Sequence, residues 1–120
     1  MKTIKISPSA KSYRQLEDVV GCKWFVSVLQ AVSAGIARPG VLERHIQGIS
    51  TKVLSERLRK LTSYGLLDKH VYAEVPPRTE YSLTENGQKL VGIISQIRLL
   101  DDEIGSVEPG GAADAKNRPR

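Results

Sequence analysis

Residues 48–87 read GISTKVLSERLRKLTSYGLLDKHVYAEVPPRTEYSLTENG, and this stretch decides the fold. Leu54, Leu58 and Leu61 recur at spacings of four and three residues, which places them on one face of a helix that packs inward. The other face carries polar and basic side chains that can reach base edges or phosphates. These are Thr51, Lys52, Ser55, Glu56, Arg59 and Lys60. The stretch therefore predicts an amphipathic helix over about residues 50–64.

Both ends of this helix are marked in the sequence. Ser50 is a suitable N-cap because its hydroxyl can accept a hydrogen bond from a free backbone N–H of the first turn. Gly65 suits the left-handed position that follows many helices, and Leu66 would then contact Leu61. The helix is thus expected to end just before Gly65.

The apolar period then changes from helical to alternating. Leu67 and Val71 alternate with polar residues, and a second run alternates in the same way on the return. Pro76 and Pro77 cannot donate hydrogen bonds within a sheet, so they belong in the connecting tip. A basic helix followed by a hairpin over about residues 66–83 is typical of the DNA-reading half of a winged helix-turn-helix.

Helical patterns on both sides complete this unit. A broad apolar face predicts a helix over about residues 23–34. Pro39 suits the first turn of a short helix that ends near His45. After the hairpin, Thr84 is placed to cap a last helix over about residues 85–104. The predicted fold class is α+β and mostly helical: a winged helix-turn-helix with a two-stranded β-wing and flanking terminal dimerisation helices.

Three segments together resemble a known family. VVGCKWFVSVLQ, PGVLERHIQGISTKVLSERLRKLTSYGLL and VYAEVPPRTEYSLTENGQKL look like the HxlR family of bacterial winged-helix transcription regulators. The segment EVPPRTEYSLTENG is similar to the wing of that family almost throughout, and GCKW resembles its G-G-K-W motif. The resemblance implies a regulator of transcription that binds double-stranded DNA as a homodimer.

The resemblance covers about residues 13–104. It leaves an N-terminal arm at residues 1–12 and a tail at residues 105–120. The tail, GSVEPGGAADAKNRPR, is rich in Gly, Pro and Ala and has no apolar period, which predicts disorder. One domain is also what a chain of 120 residues supports.

The charge distribution agrees with DNA as the partner. The net charge is +5, and residues 1–60 contain 11 Lys and Arg against 4 Asp and Glu. Residues 61–120 contain 7 against 9. A basic half is the electrostatic pattern expected of phosphate contact, although solvated basic faces are also common.

The sequence offers no signal for membrane or export. No stretch approaches the roughly 18 apolar residues of a membrane span. The N-terminal MKTIKISPSAKS has no apolar core of the kind a secretory signal needs. One cysteine excludes an intramolecular disulfide framework. These features predict a cytoplasmic protein that associates with the nucleoid.

The candidate DNA contacts follow from the helix and the hairpin. The N-terminal turns of a recognition helix point deepest into the major groove, and the wing contacts the backbone or the minor groove. Arg57 lies nearer the buried stripe, where pairing with an acidic neighbour is the alternative to phosphate contact. The predicted DNA-binding residues are Ser50, Thr51, Lys52, Ser55, Arg59, Lys60, Lys69 and Arg78.

The last helix carries a second apolar stripe. Its large aliphatic residues are spaced by 3, 4, 3 and 4 residues, as in the seam of a short coiled coil. Packing on the chain's own core is the simpler alternative, but the small domain leaves little room for so long a helix. The family resemblance adds the first helix to the seam. The predicted dimer interface is Leu16, Val19, Val20, Leu90, Ile93, Ile97, Leu100 and Ile104.

Cys22 has two interpretations. It replaces a glycine of the G-G-K-W motif and stands at a helix N-terminus beside Lys23, where its thiol pKa could be lowered. Some members of the family sense oxidants through a cysteine that would fall near Lys11, and no cysteine stands there. Because free cysteines are often buried and inert, a structural role is preferred, with Cys22 kept as a candidate sensor.

Other function classes fit less well. His45 and His70 are far apart, and no metal-ligand spacing, phosphate loop or nucleophile motif is present. The sequence therefore predicts no enzyme, no metal and no cofactor. A winged helix that binds only proteins would expose apolar anchors rather than a basic face. A regulator with a small-molecule effector, bound in a pocket near Trp24, Phe25 or Tyr64, stays open.

Overall fold

Five helices and one antiparallel hairpin make up residues 10–106, the part of the chain that this computed structural model describes; side chains are described from 14 to 105. In chain order the elements are α1 (Ala10–Val20), α2 (Lys23–Ser33), α3 (Pro39–His45), α4 (Thr51–Ser63), β1 (Leu67–Tyr72), β2 (Arg78–Leu83) and α5 (Glu85–Ser106). The order of α2, α3 and α4 followed by a hairpin confirms the predicted winged helix-turn-helix.

Helix α4 begins and ends through the predicted local contacts. The Ser50 hydroxyl accepts a hydrogen bond from the backbone N–H of Val53 at 3.1 Å, which makes Ser50 the N-cap. At the other end Gly65 has a φ of 79°, a conformation that favours glycine. The Leu66 N–H donates to the carbonyl of Leu61 at 3.0 Å, the long-range bond of a Schellman motif.

The core lies between α2, α4, the base of the hairpin and the first half of α5. The predicted stripe of Leu54, Leu58 and Leu61 faces this core, and each of these side chains is buried. Phe25 is its buried phenylalanine, so aliphatic packing provides most of the burial. The largest fully buried side chains are Leu29, Leu42, Leu61, Leu67, Val19 and Val28.

Only the base of the wing packs against the helices. Leu67 pairs with Leu83, and both belong to the inward face together with Tyr81. The Tyr81 N–H also donates to the carbonyl of Ala37 at 2.9 Å, which attaches β2 to the segment before α3. Further out, Val71 is 61% exposed. The wing therefore projects from a fixed base.

Helix α5 has a packed half and an exposed half. Leu90 and Ile94 are buried, whereas every side chain from Ser95 to Gly105 is exposed. The exposed large aliphatic residues on one side of this helix, called the α5 stripe below, are Ile93, Ile97, Leu100 and Ile104. With about 100° of rotation per residue, the α5 stripe lies roughly a quarter turn away from the buried face.

Two residues assigned to the dimer interface are in the protomer core instead. Val19 is 0% exposed and Leu90 is 5% exposed. Their side chains are covered by the chain's own helices, so they are unavailable to a partner surface. Leu16 and Val20, on the same helix as Val19, are exposed.

The start of α5 is tied to the end of α4. The Thr84 hydroxyl donates to the carbonyl of Gly65 at 2.6 Å and accepts from the N–H of Gly87 at 2.9 Å, which confirms Thr84 as a cap. The Thr84 N–H donates to the carbonyl of Leu66 at 3.1 Å. Gly87 lies directly against that same carbonyl. Several short backbone contacts thus fix α5 on the base of the wing.

The predicted arm and tail lie largely beyond the described part of the chain. Residues 1–9 and 107–120 are outside it, and α1 already includes residues 10–12 of the predicted arm. Residues 105 and 106 of the predicted tail belong to α5. Within residues 10–106, none of the helices combines the length and apolar character needed to cross a membrane.

Candidate nucleic-acid interface

The outer face of α4 carries most of the predicted DNA contacts. Ser50, Thr51, Lys52, Ser55 and Arg59 are exposed. Lys60 is partly buried near the C-terminal end of the helix. Burial of the leucine stripe fixes which side of α4 turns outward, so these donors reach solvent together. The first two turns of the helix therefore present hydroxyl and ammonium groups that suit the edges of bases.

Thr51 is already bonded inside the protein. Its hydroxyl donates to a carboxylate oxygen of Glu43 at 2.6 Å, which links the start of α4 to α3. This bond orients the first turn of α4 relative to the preceding helix. Thr51 keeps an exposed position, but its hydroxyl proton is engaged, so Lys52 and Ser55 are the freer candidates for base contact.

A groove of about 580 Å³ separates α4 from the wing. This α4–wing groove unites three predicted contacts that are distant in sequence: Ser55, Arg59 and Lys69. None of its lining residues, all of them in the described part of the chain, is acidic. Burial raises the pKa of the Tyr81 phenol, which also lines the groove, so this ring stays neutral at ordinary pH. A groove with cations and no carboxylate suits a phosphate backbone.

The wing register explains how Lys69 reaches this groove. Lys69 lies opposite Tyr81 in the antiparallel pair, and directly opposed residues point to the same side of a sheet. The buried Tyr81 defines the side that turns toward the helices. Lys69 therefore extends from the inward face of the wing, beyond the packed base.

Arg78 is placed differently from Lys69. It lies on the outward face, above the Tyr72 ring at 4.0 Å from its guanidinium carbon to the ring centroid. Its Nη2 is 3.4 Å from Glu74 Oε2, and its Nε is 3.5 Å from Glu80 Oε2. Glu80 Oε2 is also 3.5 Å from Nε of Arg38. These four charged residues, Arg38, Glu74, Arg78 and Glu80, form the wing ion-pair cluster.

Sequence reasoning did not find Arg38 or the part played by Glu80. Arg38 is the residue before α3 and lies across a gap from the wing, so only the fold makes it a neighbour of β2. The sequence signal that could have identified Arg38 is its position directly before Pro39, at the start of the predicted helix-turn-helix. Arg57 does pair with an acidic neighbour, since its Nη1 is 3.3 Å from Glu56 Oε1, and its guanidinium lies over Phe25.

Cys22 lies at the N-cap position of α2. Its backbone is extended, its side chain makes no capping hydrogen bond, and its thiol is free. The residue is partly buried and packs against the hydrophobic core. This environment resembles that of a small apolar residue more than that of an exposed thiol.

The side chains suggested for an effector pocket do not line one common cavity. Trp24 lines a groove of about 320 Å³ together with Lys23 and His45. Tyr64 lines a different groove of about 630 Å³ beside α1. Phe25 is buried in the core, with its ring centroid 6.4 Å from that of Tyr64.

Comparisons with known proteins match both the sequence and the fold. An HTH-type transcriptional regulator of Synechocystis sp., sll1512, is 37% identical over 86 residues, covering 72% of this chain and 64% of its own length. YkvN of Bacillus subtilis, also named as an HTH-type transcriptional regulator, is 38% identical over 81 residues, or 68% of this chain and 69% of its own length. The match thus spans just under two thirds of the Synechocystis relative.

Solved structures give the same result. A MarR-family regulator from Enterococcus faecalis V583 has a TM-score of 0.74 and 28% identity, covering 88% of this chain and 96% of that one. The redox regulator HypR in its reduced form has a TM-score of 0.69 and 31% identity, covering 82% and 96%. The family model described as HxlR-like helix-turn-helix matches residues 19–108. This chain belongs to the HxlR-like helix-turn-helix family.

Proposed function

We propose that this protein is a sequence-specific regulator of transcription that binds double-stranded DNA as a homodimer, in the cytoplasm and on the nucleoid. The observation that carries the proposal is the α4–wing groove, where side chains from α4 and β1 converge without an acidic residue among them. A surface of this charge, next to an exposed helix whose other face is buried, matches the needs of a duplex. Membership of a helix-turn-helix family supports it.

Roles can be assigned from position on the surface. Lys52 and Ser55 lie in the first two turns of α4, which enter the major groove in helix-turn-helix proteins. Arg59 and Lys60 lie further along the helix, where phosphate contact is expected. Lys69 would follow the backbone from the wing. Ser50 and Thr51 complete the end of α4 that approaches the bases.

The dimer rests on the exposed half of α5. The α5 stripe leaves four large aliphatic side chains in water, which is unfavourable for a soluble surface and favours pairing with a second copy. Leu16 and Val20 on α1 offer further exposed apolar area. A two-fold dimer that places two α4 helices in successive major grooves requires half-sites about 34 Å apart. The operator is therefore expected to be an inverted repeat.

Substitution of the α4 donors tests the recognition surface. Lys52→Ala and Ser55→Ala should mainly relax sequence preference, by about 1–3 kcal/mol for each good base contact. Binding titrations on an operator selected from random duplexes, and on a scrambled version, would measure the ratio of affinities. Lys89→Ala, which removes an exposed lysine of α5, is the matched control. If Lys52→Ala and Ser55→Ala both preserve that ratio, the recognition surface lies elsewhere.

A redox-responsive regulator is the second candidate, because HypR is a structural neighbour and Cys22 is a free thiol. The packing of Cys22 against the core favours a structural role. Cys22→Ser should then leave DNA affinity unchanged under reducing and under mildly oxidising conditions. Oxidation that abolishes binding by the unmodified protein, but not by the Cys22→Ser variant, would instead establish Cys22 as a sensor.

A further inference from the structure

The wing ion-pair cluster contains Arg78, a predicted DNA contact, and Arg38, and both arginines face carboxylates. Glu80 Oε2 lies 3.5 Å from Nε of Arg38 and 3.5 Å from Nε of Arg78. Glu74 Oε2 lies 3.4 Å from Nη2 of Arg78. The cluster carries two positive and two negative charges, so its net charge is zero. It joins the residue before α3 to the connecting tip of the wing and to β2.

We propose that Glu80 and Glu74 are specificity-determining residues of the DNA interface. Their carboxylates neutralise Arg38 and Arg78 on nonspecific DNA, and operator phosphates replace them only when α4 is seated in its groove. This inference rests on the proposed DNA-binding function and deepens it. It assigns to two acidic residues the task of weakening contact with the wrong duplex.

The geometry of the ion pairs makes such an exchange feasible. Nε of Arg78 is buried and lacks a hydrogen-bond partner among the described residues, although Glu80 Oε2 is within ion-pair distance. The pairing is thus electrostatic and imperfectly directed. Partly exposed pairs of this kind contribute little to stability, so breaking them costs little. The Arg78 side chain as a whole is 31% exposed, so a phosphate oxygen that displaced the carboxylates would form charge-assisted hydrogen bonds with the accessible part of the guanidinium.

Tyr72 keeps Arg78 ready for that exchange. Its ring lies directly opposite Arg78 in the strand register, and the guanidinium stacks on it at 4.0 Å. Stacking restricts the arginine without using any of its N–H donors. Arg78 can therefore exchange a carboxylate for a phosphate without leaving the Tyr72 ring.

Glu80 is the more important of the two acids, because it faces both arginines. It is adjacent to Tyr81, whose N–H bonds to Ala37 immediately before Arg38. This backbone bond keeps the base of β2 and the start of α3 at a fixed separation. Glu80 therefore contacts both Arg38 and Arg78 at a point where a backbone hydrogen bond holds β2 beside the segment before α3.

The decisive experiment compares Glu80→Gln with Asp68→Asn. Both variants remove one negative charge from the outward face of the same hairpin, and Asp68 is an exposed residue outside the wing ion-pair cluster. Fluorescence titrations with a scrambled duplex over a range of salt concentrations measure affinity and its salt dependence. Glu80→Gln should bind about five- to tenfold more tightly than Asp68→Asn at low salt. Its salt slope should be steeper by about one to two units, since Arg38 loses its contact with Glu80 and Arg78 keeps the contact with Glu74 alone.

A second pair of variants identifies the source of that gain. In the unmodified protein, Arg78→Ala should change the affinity for the scrambled duplex by less than about twofold. If Arg78 were unpaired and contacted a phosphate, the same substitution would flatten the salt slope by about one unit. In the Glu80→Gln background, Arg78→Ala should remove much of the gain, and addition of Arg38→Ala should remove the rest. Glutamine has nearly the shape of glutamate, and thermal unfolding would verify that each variant is folded.

Two outcomes overturn the inference. One is that Glu80→Gln binds the scrambled duplex no better than Asp68→Asn. The other is that its gain persists after both arginines are replaced. Failure of the proposed function is distinguishable, because the unmodified protein would then bind neither operator nor scrambled duplex.

Discussion

Replacement of Gly87 by alanine is expected to destabilise the fold more than any other single methyl group added to α5. An ideal Cβ at Gly87 would overlap the carbonyl oxygen of Leu66 and lie 3.2 Å from Cδ2 of Leu83. The carbonyl belongs to the backbone at the base of the wing, and it accepts the hydrogen bond from Thr84. Because this backbone carbonyl cannot rotate away as a side chain could, α5 would have to shift. Overpacking of this kind costs about 1–3 kcal/mol and occasionally more.

Gly92 supplies the matched control on the same helix. A Cβ built at Gly92 meets nothing within 4 Å, and the residue is exposed. Gly92→Ala should therefore raise the free energy of unfolding by about 0.5–1 kcal/mol, since alanine is the better helix former. Thermal or urea unfolding of both variants would show changes of opposite sign. Equal changes in the two would mean that α5 does not pack closely on Leu66.

Replacement of Ile97 by glutamate is expected to dissociate the proposed dimer. Ile97 is 46% exposed in the protomer and lies in the middle of the α5 stripe. In the dimer its side chain would be buried against the partner, where an unpaired carboxylate costs several kcal/mol. Sedimentation velocity at micromolar concentration should change from a dimer to a monomer. Operator affinity should fall as well, because each monomer contacts a single half-site.

Ser95→Glu introduces the same charge on the same exposed half of α5. Ser95 lies about 200° around the helix from Ile97, away from the α5 stripe. This variant should remain dimeric and should bind the operator normally. A monomeric unmodified protein at micromolar concentration, with operator binding intact, would contradict the proposed assembly.

Local signals explain why the element limits could be predicted. Ser50 and Gly65 mark the ends of α4 through bonds that involve residues no more than five positions away. The alternation around Leu67 identifies a strand for the same reason, because one buried face imposes a period of two. Each of these signals depends on neighbours in the chain, and the fold retains them.

The dimer stripe was harder to assign because one periodic pattern served two surfaces. Leu90 and Ile93 belong to the same 3, 4, 3, 4 spacing, yet Leu90 is buried in the protomer and Ile93 is 54% exposed. Periodicity identifies the apolar side of a helix but not which body covers it. The apolar face of α5 is wide enough that part of it packs on the core and the α5 stripe remains exposed.

The wing charges could not be assigned from sequence because their partners are distant along the chain. Arg78 is of a residue type that contacts phosphates. Arg38 lies 40 positions earlier, and no sequence pattern connects the two. The fold brings them to the same carboxylate, in part through the hydrogen bond between the Tyr81 N–H and the Ala37 carbonyl. The candidate site was thus predictable on α4 and only partly predictable on the wing.

The threonine at the start of α5 has a mechanical consequence for the proposed dimer. Thr84 alone separates β2 from α5, and its hydroxyl donates to the carbonyl of Gly65, the residue after the C-cap of α4, so the start of α5 is attached close to the end of α4. In the proposed dimer, a tilt of the exposed half of α5 would therefore be passed to α4 through this contact. A ligand or modification that altered the angle between the paired α5 helices would change the positions of the two α4 helices relative to each other. Control of operator spacing could therefore originate far from the DNA, at a surface that touches no base.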